Sequence, residues 1–383
     1  MKDELPLLRQ SERGQFKRCN WAWYQSYVLG LQPLSEQKDV AEFGTMFHVA
    51  MAEYYLPGTV RGPHPAETWD RIASDHVAAI KVSEYANDDL VSKWVGFHEL
   101  GLQLADAYIE RYQGDPHWEV LDAERRFKVG IPDVRVPRIE GEDGKRGYTA
   151  IVNLVGTFDL CVRDLNDGYV KMVDHKTTAV ISTTHLTLDE QASTYIAVAT
   201  HALRDQGLIG PKDVVKGMEY NYIKRAPLDD RPRDEKGLAR NKPNKSHYTD
   251  HCNHLRGFNP KWTLAEMSKF ADANKIGPIY GDVSANQSSD NFMRYFVPRT
   301  PKERQRQIVR ISEEARVMDD VRNGRLPILK TPQRDCTWCG FFALCELDES
   351  GGDTEYFIET TMKKVDMYGD HRLGAENSKK VNE

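Results

Sequence analysis

The chain has 383 residues, 40% hydrophobic and 29% charged, with a formal net charge of −6. This length suits one elaborated domain or two to three smaller ones, and the composition is that of an ordinary soluble protein. No apolar run of about 18 residues occurs, which excludes a membrane-spanning helix, and the net charge gives no general sign of nucleic-acid binding.

Along the chain, "WAWYQSYVLGL" (21–31) is interrupted by Tyr and Gln and lacks the smooth apolar segment of a signal peptide. Residues 36–56 read as a helix ended by Pro57-Gly58. Residues 66–113 carry apolar side chains at helical spacing. The texture then changes to runs rich in Val, Ile, Tyr and Phe at 119–131, 148–164 and 168–177. Turn clusters at 140–147 and 165–168 separate them, and together they predict a mostly antiparallel meander. A helix at about 187–205 and a strand at 217–224 follow. Residues 226–290 read as a polar insertion with little regular structure, and the tail beyond about 366 as polar and mobile.

Charge is uneven. Residues 224–245 hold eight Lys/Arg against four Asp/Glu, and 302–310 hold four against one. Either stretch can supply a phosphate-binding face or remain a solvated surface. Lys224, Arg225, Arg304, Arg306 and Arg310 are the candidate DNA contacts.

Asp174 and Lys176 stand two apart on one predicted strand, so they leave the same face. Asp159 lies on the preceding strand. If the hairpin loop is Asn166-Asp167, Asp159 faces Asp174; if it is Asp167-Gly168, Asp159 faces Lys176. Either register converges two carboxylates and a lysine, a set that suits a divalent cation in phosphodiester hydrolysis or a plain cross-strand ion pair.

The series Gly44-x-x-x-His48, Gly156-x-x-Asp159, Asp174-x-Lys176 and Gln191-x-x-x-Tyr195 resembles the PD-(D/E)XK nucleases, specifically the RecB-type branch. The resemblance implies an α/β fold with a mixed central sheet flanked by helices. It implies His48, Asp159 and Asp174 as Mg²⁺ or Mn²⁺ ligands and Lys176 as the catalytic lysine. Gln191 and Tyr195 would orient the lysine, water or DNA. Glu124, at a strand start, is either a further ligand or an exposed strand-end charge. His175 stands before the lysine, where many relatives carry another residue; its carbonyl remains available to a metal and its side chain should point to the opposite face.

Cys336, Cys339 and Cys345 follow C-x2-C-x5-C spacing, and six cysteines in a chain this long fit a reducing, cytoplasmic compartment. Some RecB-type nucleases, CRISPR-associated and AddB-type ones among them, carry a [4Fe–4S] cluster on one early and three late cysteines. By that resemblance Cys19 is the fourth ligand, and the cluster joins the two ends of the domain. Zinc is the chemical alternative.

The division expected is an N-terminal segment (1–35), a nuclease core (36–225) with a helical insertion (60–115), a polar insertion (226–300), a C-terminal helix with the cysteine motif (301–350) and a partly mobile tail (351–383). The function expected is a DNA exonuclease acting on ends or single strands in recombination, repair or replication, in a bacterial or phage-infected cell. Without a Walker A motif, unwinding falls to a partner helicase or recombination protein. The alternatives are a catalytically silent DNA-binding scaffold and a CRISPR-adaptation-like processing subunit active only in a complex.

Overall fold

The computed structural model describes residues 5–34, 39–83, 87–137, 139–140 and 146–372. β1 (Leu7–Arg9) leads into α1 (Gln10–Arg18), α2 (Asn20–Trp23), a π-helical turn and β2 (Leu31–Pro33). Three longer helices follow: α3 (Asp39–Tyr54), α4 (Pro65–Lys81) and α5 (Asp88–Tyr112). Next come β3 (Trp118–Pro132), the short pair β4 (Ile139–Glu140) and β5 (Arg146–Gly147), β6 (Ala150–Asp164) and β7 (Val170–Thr178). Then come α6 (Glu190–Asp205), β8 (Val215–Lys224), α7 (Lys245–Cys252), α8 (Leu264–Ala273) and β9 (Phe292–Pro298). The chain continues through α9 (Pro301–Arg322), α10 (Phe342–Glu349), α11 (Thr354–Thr361), β10 (Met362–Lys364) and α12 (Gly369–Arg372). Among the described residues no helix is long and apolar enough to cross a membrane.

Two compact units emerge: one takes the chain up to Ile223 and from Met293 onward, the other is Lys224–Phe292. In the first, the sheet runs β1-β6-β7-β8-β9, with β3 on the other edge of β6. β3 and β7 are antiparallel to β6, and β1 is parallel to it. The sheet is therefore mixed, with helices against it: α6 and α9 pack on β3, and α3 packs on β6 and β7. The core between sheet and α6/α9 includes Phe127, Leu154, Phe158, Ile196, Ala199 and Ile311. Local signals start the helices: the Asp189 side chain caps α6 by accepting from Ala192 N–H, and Thr300 and Glu303 close a capping box on α9.

Two glycines permit close approaches. A Cβ on Gly44 would lie 3.0 Å from Thr177 Oγ1, so its absence lets α3 settle on β7. A Cβ on Gly156 would lie 2.8 Å from the Phe127 ring and 3.3 Å from the Tyr195 hydroxyl. Phe127 has no room to retreat, being stacked on Phe158 at 4.4 Å and edge-on to Tyr195 at 5.6 Å. Gly156→Ala is expected to lose about 1–3 kcal/mol of stability by overpacking, read as a lower urea midpoint at unchanged slope.

The second unit is more regular than its composition suggests. α7 and α8 enclose a small core of Tyr248, Cys252, Met267 and Ala271. The physical reason is local: Asn244 and Thr263 begin capping boxes that nucleate both helices despite the Pro- and charge-rich surroundings.

The C-terminal segment also differs from expectation up to Arg372. β10 pairs antiparallel with β2, Tyr368 donates to the buried Glu12 carboxylate, and Asp370 pairs with Arg9. The two ends of the chain are thus joined by backbone pairing and buried polar contacts. The part of the predicted mobile tail at 373–383 lies outside the described residues.

Candidate active site

β6 pairs with β3 along most of its length, so β1 and β7 share its other edge. β1 occupies Asn153–Val155 and β7 occupies Leu160–Arg163. Between them Gly156–Asp159 faces a fork in the sheet, where a side chain replaces a ladder bond: the Asp159 Oδ2 accepts from His175 N–H at 3.0 Å. The pairs Leu160↔Val173 and Arg163↔Val170 continue to Asp159 opposite Asp174, the first of the two registers considered. The loop itself is longer than two residues, since Asp164 N–H donates to Tyr169 O at 2.9 Å and leaves 165–168 as the turn.

Asp174 is 3% exposed, and its Oδ1 accepts from Gln191 Nε2 at 2.8 Å. Lys176 Nζ lies 2.6 Å from Asp174 Oδ2 and donates to Gln191 Oε1 at 3.2 Å. Oδ2 is buried, and the Lys176 ammonium is its partner among the described residues. Gln191, in the first turn of α6, therefore clamps both partners. Tyr195 borders the same group: its ring packs edge-on to Phe127 and Phe158, and burial, then the Asp174 and Asp159 charges, pushes its pKa up.

His48 reaches in from α3. Its Nδ1 lies 3.5 Å from Asp159 Oδ2, and its Nε2 is 2.7 Å from the His175 carbonyl oxygen. Glu124 completes the group: ligating atoms of His48, Glu124 and Asp159 all lie within 4.8 Å of one another. Glu124 is in the left-handed region, φ 47, within β3. Such a backbone is uncommon for a non-glycine residue and costs strain of about 1–3 kcal/mol. Its strand neighbours Ala123 and Arg125 pair normally with Leu160 and Phe158, so the kink is confined to the residue opposite Asp159.

Crowded carboxylates resist ionisation. Burial, then the Asp159 charge, pushes Asp174 up to about 6 against the pull of Lys176. Loss of surrounding water, then the Asp159 and Asp174 charges, pushes Glu124 up to about 7, with His48 opposing. Burial works against the Lys176 charge, but Asp174 and Asp159 outweigh it and hold the ammonium above its usual range. For an acid raised on folding, the native state binds the proton more tightly than the unfolded chain. The metal-free protein therefore loses stability as pH rises from the ordinary carboxyl range through 6 and 7. A bound cation offsets that loss. The rise in melting temperature on adding Mn²⁺ is expected to be larger at pH 7.5 than at pH 5.5; an equal rise at both would remove these carboxylates from the site.

His175 leaves the other face of β7. It is 3% exposed, its ring stacks on Tyr55 at 6.1 Å, and its Nδ1 lies 2.8 Å from Asn221 Nδ2. Burial, then the His48, Arg294 and Lys176 charges, holds its pKa well below the usual value.

The basic candidates are mostly engaged. Arg304 is half-buried, donating to the carbonyls of Arg299 and Val215 at 3.0 and 2.8 Å, so it anchors α9 to β8 and does not project as a DNA contact. Arg310 lies 3.6 Å from Glu190 and bonds Gln307. Arg306 is exposed. In the second unit Lys224 donates to Ser289 at 3.0 Å, and Arg225 is half-buried, burial lowering its pKa.

Cys19, Cys336, Cys339 and Cys345 line one cavity of about 1430 Å³. Gln333 N–H donates to Cys336 Sγ at 3.3 Å, and Phe341 N–H donates to Cys339, whose pKa burial nonetheless pushes up. Among the described residues no three of these sulfurs lie within 4.8 Å of one another. Cys161 and Cys252 are fully buried elsewhere.

A sequence model of the PD-(D/E)XK nuclease superfamily matches residues 10–346, a span that holds every residue just described. No curated protein matches the chain.

Proposed function

Because the chain belongs to the PD-(D/E)XK nuclease superfamily, we propose that it is a metal-dependent deoxyribonuclease of the RecB-type branch. In this reading it is an exonuclease that hydrolyses phosphodiester bonds at DNA ends during recombination, repair or replication, with a helicase or recombination protein supplying unwound strands. The supporting observation is the convergence of His48, Glu124 and Asp159 within 4.8 Å beside the Asp174–Lys176–Gln191 clamp.

His48, Glu124, Asp159 and Asp174, with the His175 carbonyl, would hold Mg²⁺ or Mn²⁺: hard oxygens plus one imidazole suit such cations. When bound, the cation supplies a Lewis acid and a water acidic enough to attack phosphorus. Lys176, kept protonated by its two carboxylates, serves as a fixed positive charge for the developing phosphorane rather than as a base. Gln191 holds that ammonium in place. Arg306, open to solvent on α9, is the best-placed of the basic candidates for the DNA backbone.

The deciding experiment incubates end-labelled linear DNA and closed circular DNA with Mn²⁺ or Mg²⁺. Loss of the linear substrate alone supports an exonuclease. Equal cutting of the circle would replace it with an endonuclease, and inertness towards both would favour the silent scaffold.

We propose, further, that the four cysteines bind a [4Fe–4S] cluster in a reducing cytoplasm. Thiolate donors suit either iron–sulfur or zinc. Only the resemblance to cluster-bearing RecB-type nucleases favours iron–sulfur over a single tetrahedral zinc. Cross-linking Cys19 to the late cysteines closes a long loop, for which chain entropy sets an upper bound of about 6 kcal/mol. The β2–β10 pairing and the Glu12–Tyr368 contact already join the same ends. Cys19→Ala is therefore expected to lose iron and sulfide and several degrees of melting temperature without unfolding, while Cys161→Ala and Cys252→Ala keep the iron. A colourless wild-type protein with one zinc would refute the iron–sulfur assignment.

A further inference from the structure

His175 is tied into the metal-binding group three ways without offering it a side chain. Its N–H holds Asp159 at 3.0 Å, its carbonyl holds His48 at 2.7 Å, and it is the link between Asp174 and Lys176. Any rotation of its peptide planes would move four of the site's side chains together.

The far face of β7 prevents that rotation. Asn221 Nδ2 donates to His175 Nδ1 at 2.8 Å and to the Tyr108 hydroxyl at 2.7 Å. Arg294 Nε reaches Asn221 Oδ1 at 3.3 Å, which sets the amide's orientation. Both amide hydrogens are thereby directed, so His175 Nδ1 must be an acceptor and the ring carries its proton on Nε2. Tyr108 then donates to Tyr55 at 3.0 Å, and Tyr55 to Asp115 Oδ2 at 2.6 Å. Arg294 closes the circuit with two bonds to Asp115, at 2.5 and 2.8 Å, and one to Tyr108 at 2.8 Å.

Donors run from Arg294 to Asp115 along two arms, one direct and one through Asn221, Tyr108 and Tyr55, and each bond polarises the next in a low-dielectric interior. A buried ion pair is a poor device for stability alone, because well-packed apolar residues often do as well or better. Its fixed geometry is what an apolar filling lacks. We propose that Asn221 and His175, locked by the Arg294–Asp115–Tyr108–Tyr55 circuit, are positioning residues that hold Asp159, His48 and Asp174 in place for the cation. The inference rests on the nuclease reading above.

Mn²⁺ titration calorimetry on the full chain, run beside thermal melts, tests it. Asn221→Leu is expected to bind Mn²⁺ about 10–100-fold more weakly, the usual effect of losing a partner behind a ligand. His175→Asn places an amide oxygen where Nδ1 accepted, and should stay within about threefold of wild type, whereas His175→Leu should match Asn221→Leu. Leu203→Ala, fully buried near the far end of α6, should lower the melting temperature and leave Mn²⁺ affinity unchanged. Wild-type affinity in Asn221→Leu would overturn the inference and leave the nuclease reading intact. If Asn221→Leu does not fold, equal affinity in His175→Asn and His175→Leu overturns it instead. A wild-type protein that binds no Mn²⁺ would overturn the nuclease reading itself.

Discussion

Asp159→Asn is expected to reduce DNA cleavage by about three orders of magnitude or more, since a positioned cation contributes several kcal/mol to such a transition state and each 1.4 kcal/mol is about tenfold. Asp159 sits between the other two carboxylates, opposite Asp174 on β7 and beside Glu124 on β3. The asparagine keeps an oxygen for the His175 N–H, so the fork in the sheet should survive. What it loses is the charge shared by the cation group. The same charge raises Asp174 and Glu124, so its removal should let both ionise at lower pH and leave the metal-free melting temperature equal or higher. Weaker Mn²⁺ binding, lost cleavage and undiminished stability form a combined signature. Near-normal cutting by Asp159→Asn would remove this residue from the site.

Lys176→Met carries the second large effect. Methionine keeps the length of the side chain and deletes the charge, which is expected to slow turnover by about 10²–10³, as loss of one preorganised donor does. DNA affinity and Mn²⁺ affinity at pH 8 should change little. Asp174 then loses the neighbour that most favours its ionised form, and its pKa should climb further above 6. Breaking a buried pair can cost about 3–5 kcal/mol, but a carboxyl this readily protonated escapes much of that penalty by taking up a proton. The stability loss should therefore shrink as pH falls from the mutant's raised value towards 6, and level off below it. Equal losses of DNA affinity and turnover would make Lys176 a phosphate anchor instead of a catalytic group.

Much of the site was legible in the residues alone. Strand alternation places Asp174 and Lys176 on one face and His175 on the other, because side-chain direction along a strand is a local property. Spacing brought Asp159, Asp174 and Lys176 together as either a cation site or a plain ion pair; the roles of these three, and the choice of His48 and Gln191, came from the resemblance to the PD-(D/E)XK nucleases. The switch from helical to alternating texture marked α3 to α5 and then β3, β6 and β7.

Tertiary packing decided the rest. Two hairpin registers satisfied the sequence equally; the observed one comes with a four-residue turn, 165–168, that neither two-residue loop anticipated. Glu124 enters the metal group through a single left-handed backbone angle, which no periodicity announces. Tyr195, four residues on from Gln191, also packs against Phe127 and Phe158, and Arg304, read as a candidate DNA contact, donates to β8 carbonyls. Asn221, Asp115 and Arg294 are separated by up to 179 positions yet meet behind His175. Local sequence sets which way a side chain points from its own backbone. Which other side chains it meets is set by long-range register, sheet forks and burial, whose energies appear only when distant segments pack.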